Sequence, residues 1–447
     1  MKTKMKQLMS LLAAVLIFST AFAQETQKFS LTEAQEYAVQ NSYVVQNSGL
    51  DVEIARKKVW ETISMGLPQI NASANYTNFL DLPVSLIPGE FFGEPEGTYV
   101  PVKFGQDYSS DVGITIDQKI FDGSYIVGVG SAKIYLQMAT EAKEKTEIEI
   151  KHGVSQAYYM VLVAKENWIV MKENLGNSEK LLNDANALYE NGFVEEQDVD
   201  QMQLLTQKAE NEILKAEREI RVAKMVLKYT MGVDVESEIE LTDKLDQFLN
   251  PLLNNIERDY GFDHISHIDY RMLETQVEVS KKLLKLEQST YLPKINAFYN
   301  VSKTAYGNSA NLFKSSVPWF KSSMWGLNVS VPVFTGGERI SKVKQARMDL
   351  DKAQNDQKHA VQGLQKDYLS AVADIESAVD QLKNDIDNKK LASKIYDKTT
   401  IKYNNGLISS TELSQTETQY IQSQGAWVGS VLQLLNAKIN LDKAIGK

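Results

Sequence analysis

The residues of this chain with chemistry to offer are carboxylates set beside two Asn-Gly turns. Tyr189-Glu190-Asn191-Gly192-Phe193 is followed by Asp198, and Tyr403-Asn404-Asn405-Gly406-Leu407 is followed by Glu412. Each acid stands six residues after its glycine. There it falls in the first turn of a following helix, where a negative charge stabilises the N-terminus. Glu195, Glu196 and Asp200 add further charge at the first of these turns. A second grouping is His264-Ile265-Ser266-His267, flanked by Asp263 and Asp269. Its i,i+3 spacing uses metal-ligand residue types. Two histidines in an acidic linker nevertheless read as surface residues, and no metal is expected. The chain has no cysteine, no Gly-x-Ser-x-Gly, no P-loop and no dinucleotide fingerprint. It reads as a non-enzyme without a cofactor, and energy for any work must come from a partner.

The elements that position these acids are long helices. Neither 123–191 nor 337–405 contains a proline. Each stretch would run roughly 100 Å as one helix at 1.5 Å per residue. In the second, Leu364, Tyr368, Val372, Ile375, Val379, Leu382 and Ile386 recur in steps of four and three, which marks a single packing seam. Glycine after asparagine suits a left-handed C-cap. Return helices are expected over 198–231 and 411–445. Each unit is therefore a long antiparallel helical hairpin, 123–231 with its tip at 191–193 and 337–445 with its tip at 405–407. Shorter amphipathic helices over 31–65 and about 270–289 precede the strands.

Ahead of each hairpin the period changes to two. Ile70, Ala72, Ala74 and Tyr76 alternate with Asn71, Ser73, Asn75 and Thr77. Trp325, Leu327, Val329, Val331 and Val333 alternate with Gly326, Asn328, Ser330 and Pro332. Strand pairs are expected at about 69–80 with 109–120 and about 294–303 with 324–334. Such runs match a half-buried sheet of a soluble domain or tilted membrane strands. Aromatic, proline-rich loops over 80–108 and 305–319 suit the rim of a barrel. Four strands cannot enclose a lumen, so an open channel would need several copies; three would supply twelve strands.

These elements occur twice. Leu67-Pro68 returns as Leu292-Pro293, Phe121-Asp122-Gly123 as Phe334-Thr335-Gly336, and the Asn-Gly tip recurs, at offsets of 225, 213 and 214 residues. A period above 200 is a duplicated domain-sized unit, not a solenoid. The repeats are assigned to 24–232 and 269–447, joined by a polar connector over 233–268. The fold class is mainly α with a small β part.

The N-terminus reads as an export signal over 1–23. Lys2, Lys4 and Lys6 precede an apolar run from Leu8 to Phe18, and Ala21-Phe22-Ala23 offers a cleavage site. Losing those three lysines takes the net charge from −10 to −13. An acidic chain lacks the basic patches a nucleic-acid partner requires.

The ordered landmarks resemble the TolC-like outer-membrane efflux proteins. They comprise Ser30-Leu31-Thr32-Glu33-Ala34 with Ala38 and Asn41, both Leu-Pro entries, both Phe-x-Gly exits and both tips. The resemblance implies a homotrimer in outer-membrane lipid, with a shared 12-stranded β-barrel continued by a periplasmic α-helical barrel. It implies an exit duct for efflux or type I secretion, docked to a periplasmic adaptor (membrane fusion) protein and an inner-membrane pump of RND, ABC or MFS type. The adaptor-facing tips become Asn191, Gly192, Phe193, Asn405, Gly406 and Leu407. The periplasmic entrance becomes Glu412, with Gln415 one turn on, and Asp198 and Tyr403 as gate candidates. Gln415 replaces a second acid of the family pattern, and Ile408 replaces an arginine that braces the closed state. Three Glu412 carboxylates at a narrow neck would favour cations. A periplasmic coiled-coil adaptor and an exported structural scaffold are the alternative readings.

Overall fold

The computed structural model describes residues 27–254 and 260–447; the expected signal segment lies outside them. In chain order the elements are β1 (Gln27–Phe29), α1 (Leu31–Asn41), α2 (Tyr43–Ser64), β2 (Gln69–Asn78), β3 (Val84–Pro88), β4 (Tyr99–Lys103), β5 (Tyr108–Asp122), α3 (Gly123–Glu190), α4 (Glu196–Met231), β6 (Ile239–Leu241), α5 (Leu245–Asn254), α6 (Ile268–Ser289), β7 (Lys294–Gly307), β8 (Trp319–Ser330), α7 (Glu338–Asn404) and α8 (Ser410–Ala444). The chain divides into two compact units.

The first unit, 53–138 with 274–355, carries a four-stranded antiparallel sheet in the order β2-β5-β7-β8. Its register turns the sequence alternation into two faces. Ala72 pairs with Ile114 and Ile114 with Val301; Ile116 pairs with Tyr299, and Tyr299 with Trp325. Cross-strand partners share a face, so Ile70, Ala72, Ala74, Val112, Ile114, Tyr299, Trp325, Leu327 and Val329 form one apolar surface. The other face is largely polar, with Phe298, Met324 and Phe320 among its polar residues. Asn300 Nδ2 donates to Thr115 Oγ1 at 2.8 Å, and Thr304 Oγ1 to Asp111 Oδ2 at 2.9 Å. Trp325 is 76% exposed and Ile70 68%. A contiguous apolar patch of this kind marks a surface that something else covers.

Several boundaries differ from expectation. The last strand runs Trp319–Ser330, not 324–334. Pro332 has no N–H to give a ladder, while 319–323 pairs with the end of β7. β7 itself continues to Gly307, beyond 303. The loop 80–108 contains a small antiparallel hairpin, β3 with β4, around a 3₁₀ turn at Gly89–Phe92. Its prolines hid it, since Pro88 and Pro101 read as breakers.

The second unit comprises the described part of 1–52, with 139–273 and 356–447. β1 pairs in parallel with β6 of the connector. The helix expected over 31–65 is two helices, broken where Ser42 is extended at φ −62°, ψ 128°. α1 starts with a capping box: Ser30 Oγ accepts from Glu33 N, and Ser30 N donates to Glu33 Oε2 at 2.8 Å. Ala34 and Ala38 are fully buried, small enough to let α1 lie close on the core built by Val154, Tyr158, Val161, Leu227, Leu382 and Leu434. Asp243 ties this corner together, accepting from Leu31 N at 2.7 Å and from Tyr158 Oη at 3.0 Å. His267 is only 4% exposed, not a surface residue. The C-terminal end of α8 reaches it: His267 Nε2 meets the Lys443 carbonyl at 3.1 Å, and Nδ1 accepts from Asp269 N at 3.2 Å.

Candidate functional site

The two helical tips are built alike. At the first, Gly192 N donates to Tyr189 O at 2.8 Å and Phe193 N to Leu188 O at 2.9 Å. At the second, Gly406 N donates to Tyr403 O at 2.8 Å and Leu407 N to Lys402 O at 2.9 Å. This is the Schellman arrangement, which satisfies helix-end carbonyls and needs a left-handed residue. Gly192 and Gly406 supply it at φ +75° and +70°. Asn191 and Asn405 fold back, each amide donating to a carbonyl four residues earlier, on Ala187 and Ile401, at 2.6 Å. The residues after the glycines are left outside: Phe193 is 78% exposed and Leu407 72%.

The acids lie on the return helices. Asp198 takes part in a capping box with Glu195, accepting from Glu195 N at 3.2 Å. Glu412 is the third residue of α8, and its N–H donates to the Ser409 cap at 3.3 Å. Glu412 and Gln415 are both exposed. Gln201 Nε2 donates to Ser414 Oγ at 3.3 Å and joins the two return helices next to the tips. Tyr403 lies elsewhere, buried with Leu181, Ala185, Met202, Tyr396 and Leu413. Burial first, then the charges of Asp198 and Asp184, push its phenol above the usual range. Its hydroxyl has no partner among the described residues. Ile408 packs against the same cluster. An apolar contact therefore occupies this position beside the second tip. One copy thus brings Asp198 of the first tip within electrostatic reach of Tyr403 at the second, while Glu412 and Gln415 stay exposed.

Sequence reasoning missed a buried polar seam above the tips. Asn174 Nδ2 donates to Gln424 Oε1 at 2.7 Å, and Ser178 Oγ to Glu417 Oε1 at 2.8 Å. Thr206 Oγ1 bonds the carbonyls of Met202 and Ser178. The seam crosses α3, α4 and α8. Glu417 is 3% exposed, and burial raises its carboxyl pKa against the opposing effects of Ser178 and Lys208. The signal was present: Leu413, Glu417, Gln424 and Val431 follow one helical stripe, with two polar residues inside an apolar series.

The outer membrane efflux protein family matches residues 35–233 and 266–447. The chain belongs to this family. It therefore locates to the outer membrane, with its helical part in the periplasm, and this family is one of channels. The gap in the match falls in the connector, and both repeats are covered. No curated protein sequence matches the chain. Among solved structures, the CusC channel aligns at TM-score 0.74 with 15% identity, covering 95% of each chain. The CmeC outer membrane channel of Campylobacter jejuni aligns at 0.70 with 15% identity over 93% of this chain and 85% of that one. The MtrE outer membrane channel of Neisseria gonorrhoeae, in its open state, aligns at 0.70 with 17% identity over 93% and 88%. The efflux protein shares their fold, a barrel part and a helical part built from repeats. No described helix is long and apolar enough to cross a membrane.

Proposed function

We propose that this efflux protein works as a passive homotrimeric exit duct, docked through its helical tips to a periplasmic adaptor and, beyond it, an inner-membrane pump of RND, ABC or MFS type. The observation that carries this reading is the sheet. One copy contributes four strands, and β2 and β8 each have one edge without a neighbour among the described strands. Exposed edges invite pairing with another chain, and a membrane-spanning sheet must close. Joining β8 of one copy to β2 of the next closes the sheet after three copies with twelve strands.

The tips support the docking part. Phe193 and Leu407 are apolar, exposed and equivalent in the two repeats, so a trimer would offer six such points to adaptor helices. Without a P-loop in the sequence, transport energy comes from the pump.

The chain has no native cysteine, so paired cysteines give a clean test. Ala74→Cys on β2, combined in turn with each of Ser323→Cys, Trp325→Cys and Leu327→Cys on β8, should yield one register that forms covalent trimers in outer-membrane preparations. A protein that stays monodisperse and monomeric without detergent, with no pair cross-linking, sinks the proposal.

A further inference from the structure

The two repeats carry opposite charge at equal distance from their tips. Residues 389–410 hold five lysines, Lys389, Lys390, Lys394, Lys398 and Lys402, against Asp397 alone. Their counterparts at the tip offset of 214, residues 175–196, hold five acids, Glu179, Asp184, Glu190, Glu195 and Glu196, against Lys180 alone. One stretch is net +4 and its repeat partner net −4. Lys398 and Asp184 each stand eight residues before their tip glycine.

The structure exposes most of both sets; Lys389 and Asp184 are half-buried, and Asp184 acts on Tyr403 of the same copy. Lys390, Lys394, Lys398 and Lys402 step by four along α7 and are exposed, while Leu382, Tyr396 and Tyr403 of the same helix are buried. Among the described residues Lys394, Lys398 and Lys402 form no ion pair, and Lys390 reaches only Asp387, at 3.8 Å. Like charges at i,i+4 destabilise a helix, so this row costs the isolated copy stability unless an anionic surface meets it. Beside it, a groove of about 560 Å³ runs between α7 and α8, floored by Tyr420 and Trp427, with the Lys389 ammonium 3.8 Å from the Trp427 ring centre. On α3 and at the start of α4, Glu179, Glu190, Glu195 and Glu196 are exposed and form no ion pair within the described chain. Within one copy the hairpins meet through the buried residues: Asn174 and Ser178 bond Gln424 and Glu417, and Leu181 and Ala185 cluster with Tyr396 and Tyr403, leaving the exposed lysine row outside these contacts.

We propose that the lysine row of the second hairpin docks against the acidic flank of the first hairpin of a second copy, forming an electrostatic seam that recurs around the assembly. The proposal rests on the trimeric reading above and adds the charge pattern that sets which hairpin meets which. In a closed ring of copies every second hairpin has a first hairpin as its neighbour. Because the two repeats are in register at their tips, the opposite charges meet at the same height. The pattern also opposes wrong pairings: lysine row against lysine row, or acid against acid, repels.

Carbodiimide coupling tests this directly, because it joins a lysine to a carboxylate only when they touch. Equal amounts of ¹⁴N- and ¹⁵N-labelled full-length protein, mixed before assembly in detergent, should give mixed-isotope cross-linked peptides joining Lys394, Lys398 or Lys402 to Glu179, Glu190 or Glu196. The triple reversal K394E/K398E/K402E should lower the trimer yield at low salt by about tenfold, as expected for a few partly exposed pairs turned repulsive. Adding E179K/E190K/E196K should restore it. Raising salt to about 1 M, where screening acts within ~3 Å, should shrink both effects. Unchanged trimer yield in the lysine reversal, cross-links only within one isotope, or no rescue by the acid reversal would each overturn the seam while leaving the channel reading intact. Absence of trimers from the parent protein under all conditions would overturn the channel reading itself.

Discussion

Among the described residues Glu417 is the most deeply buried carboxylate, at 3% exposed. Its carboxyl is held in a seam of three helices with Ser178 on one oxygen, and its other oxygen has no partner among the described residues. Lys208 on α4 and Tyr396 on α7 are the groups whose charges couple to it. Burial raises its folded-state pKa above the ordinary 4.5. In the window between 4.5 and that raised value, the folded protein binds a proton that the unfolded chain has lost. Stability therefore falls as pH rises through this window. Glu417→Gln keeps an acceptor for Ser178 and removes the ionisable group. Its melting temperature, followed by helical circular dichroism, should exceed the parent's at pH 7, and the difference should vanish near pH 4.5. Equal melting at pH 7 would mean the carboxyl is not uncomfortable there. Gly406 presents the opposite case, a residue in the one conformation that suits it. A Cβ there meets nothing within 4 Å, so Gly406→Ala isolates the backbone term of φ +70°. It should cost about 1 kcal/mol, read as faster amide hydrogen exchange confined to the end of α7 and the start of α8.

At the scale of elements, β8 carries a sharp contrast between neighbours. Leu327 lies on the apolar face, across from Ala297, while Asn328 lies on the polar face, across from Asn296. If the apolar face meets lipid, Leu327→Arg should cost about 2–4 kcal/mol and Asn328→Arg far less, because charge at bilayer depth is penalised on the lipid side only. Urea-dependent folding into liposomes measures both; equal costs would remove the lipid assignment of that face. This two-faced sheet was legible in the sequence because period-two alternation survives whatever the strand pairs with. Helix ends were legible for a similar local reason, since Asn-Gly specifies its own cap. What could not be read were features decided by distant partners. Trp319–Ser323 became strand because β7 continues opposite it, Ser42 broke a helix that periodicity alone would continue, and His267 was buried by the far end of α8. The Glu417 seam was hidden for the same reason: its polar residues make sense only once three helices from distant parts of the chain meet.

The whole molecule is acidic, and the narrow entrance of the proposed trimer would amplify that. Glu412 is exposed, stands in the first turn of α8, and is repeated once per copy. In a trimer with α8 lining the entrance, three such carboxylates would face a common axis and be joined by no second acid one turn on, where Gln415 stands. A ring of carboxylates at a water-filled neck favours cations and repels anions. The reconstituted protein in planar bilayers should therefore show a reversal potential of cation-selective sign in a salt gradient. Glu412→Gln should move that potential toward zero and raise anion permeability. Gln415→Glu should move it the other way by adding a second ring. Cation selectivity that survives Glu412→Gln unchanged would place the narrowest charged point elsewhere along the duct, with Asp198 and Asp200 at the start of α4 the next acids to replace. The same recordings bear on Ile408. If Ile408 holds the closed state, it does so by burial in the tip cluster and not by an ion pair, so high salt should leave the closed-state lifetime nearly constant. Ile408→Ala should shorten that lifetime at every salt concentration, since it removes packing that salt does not screen.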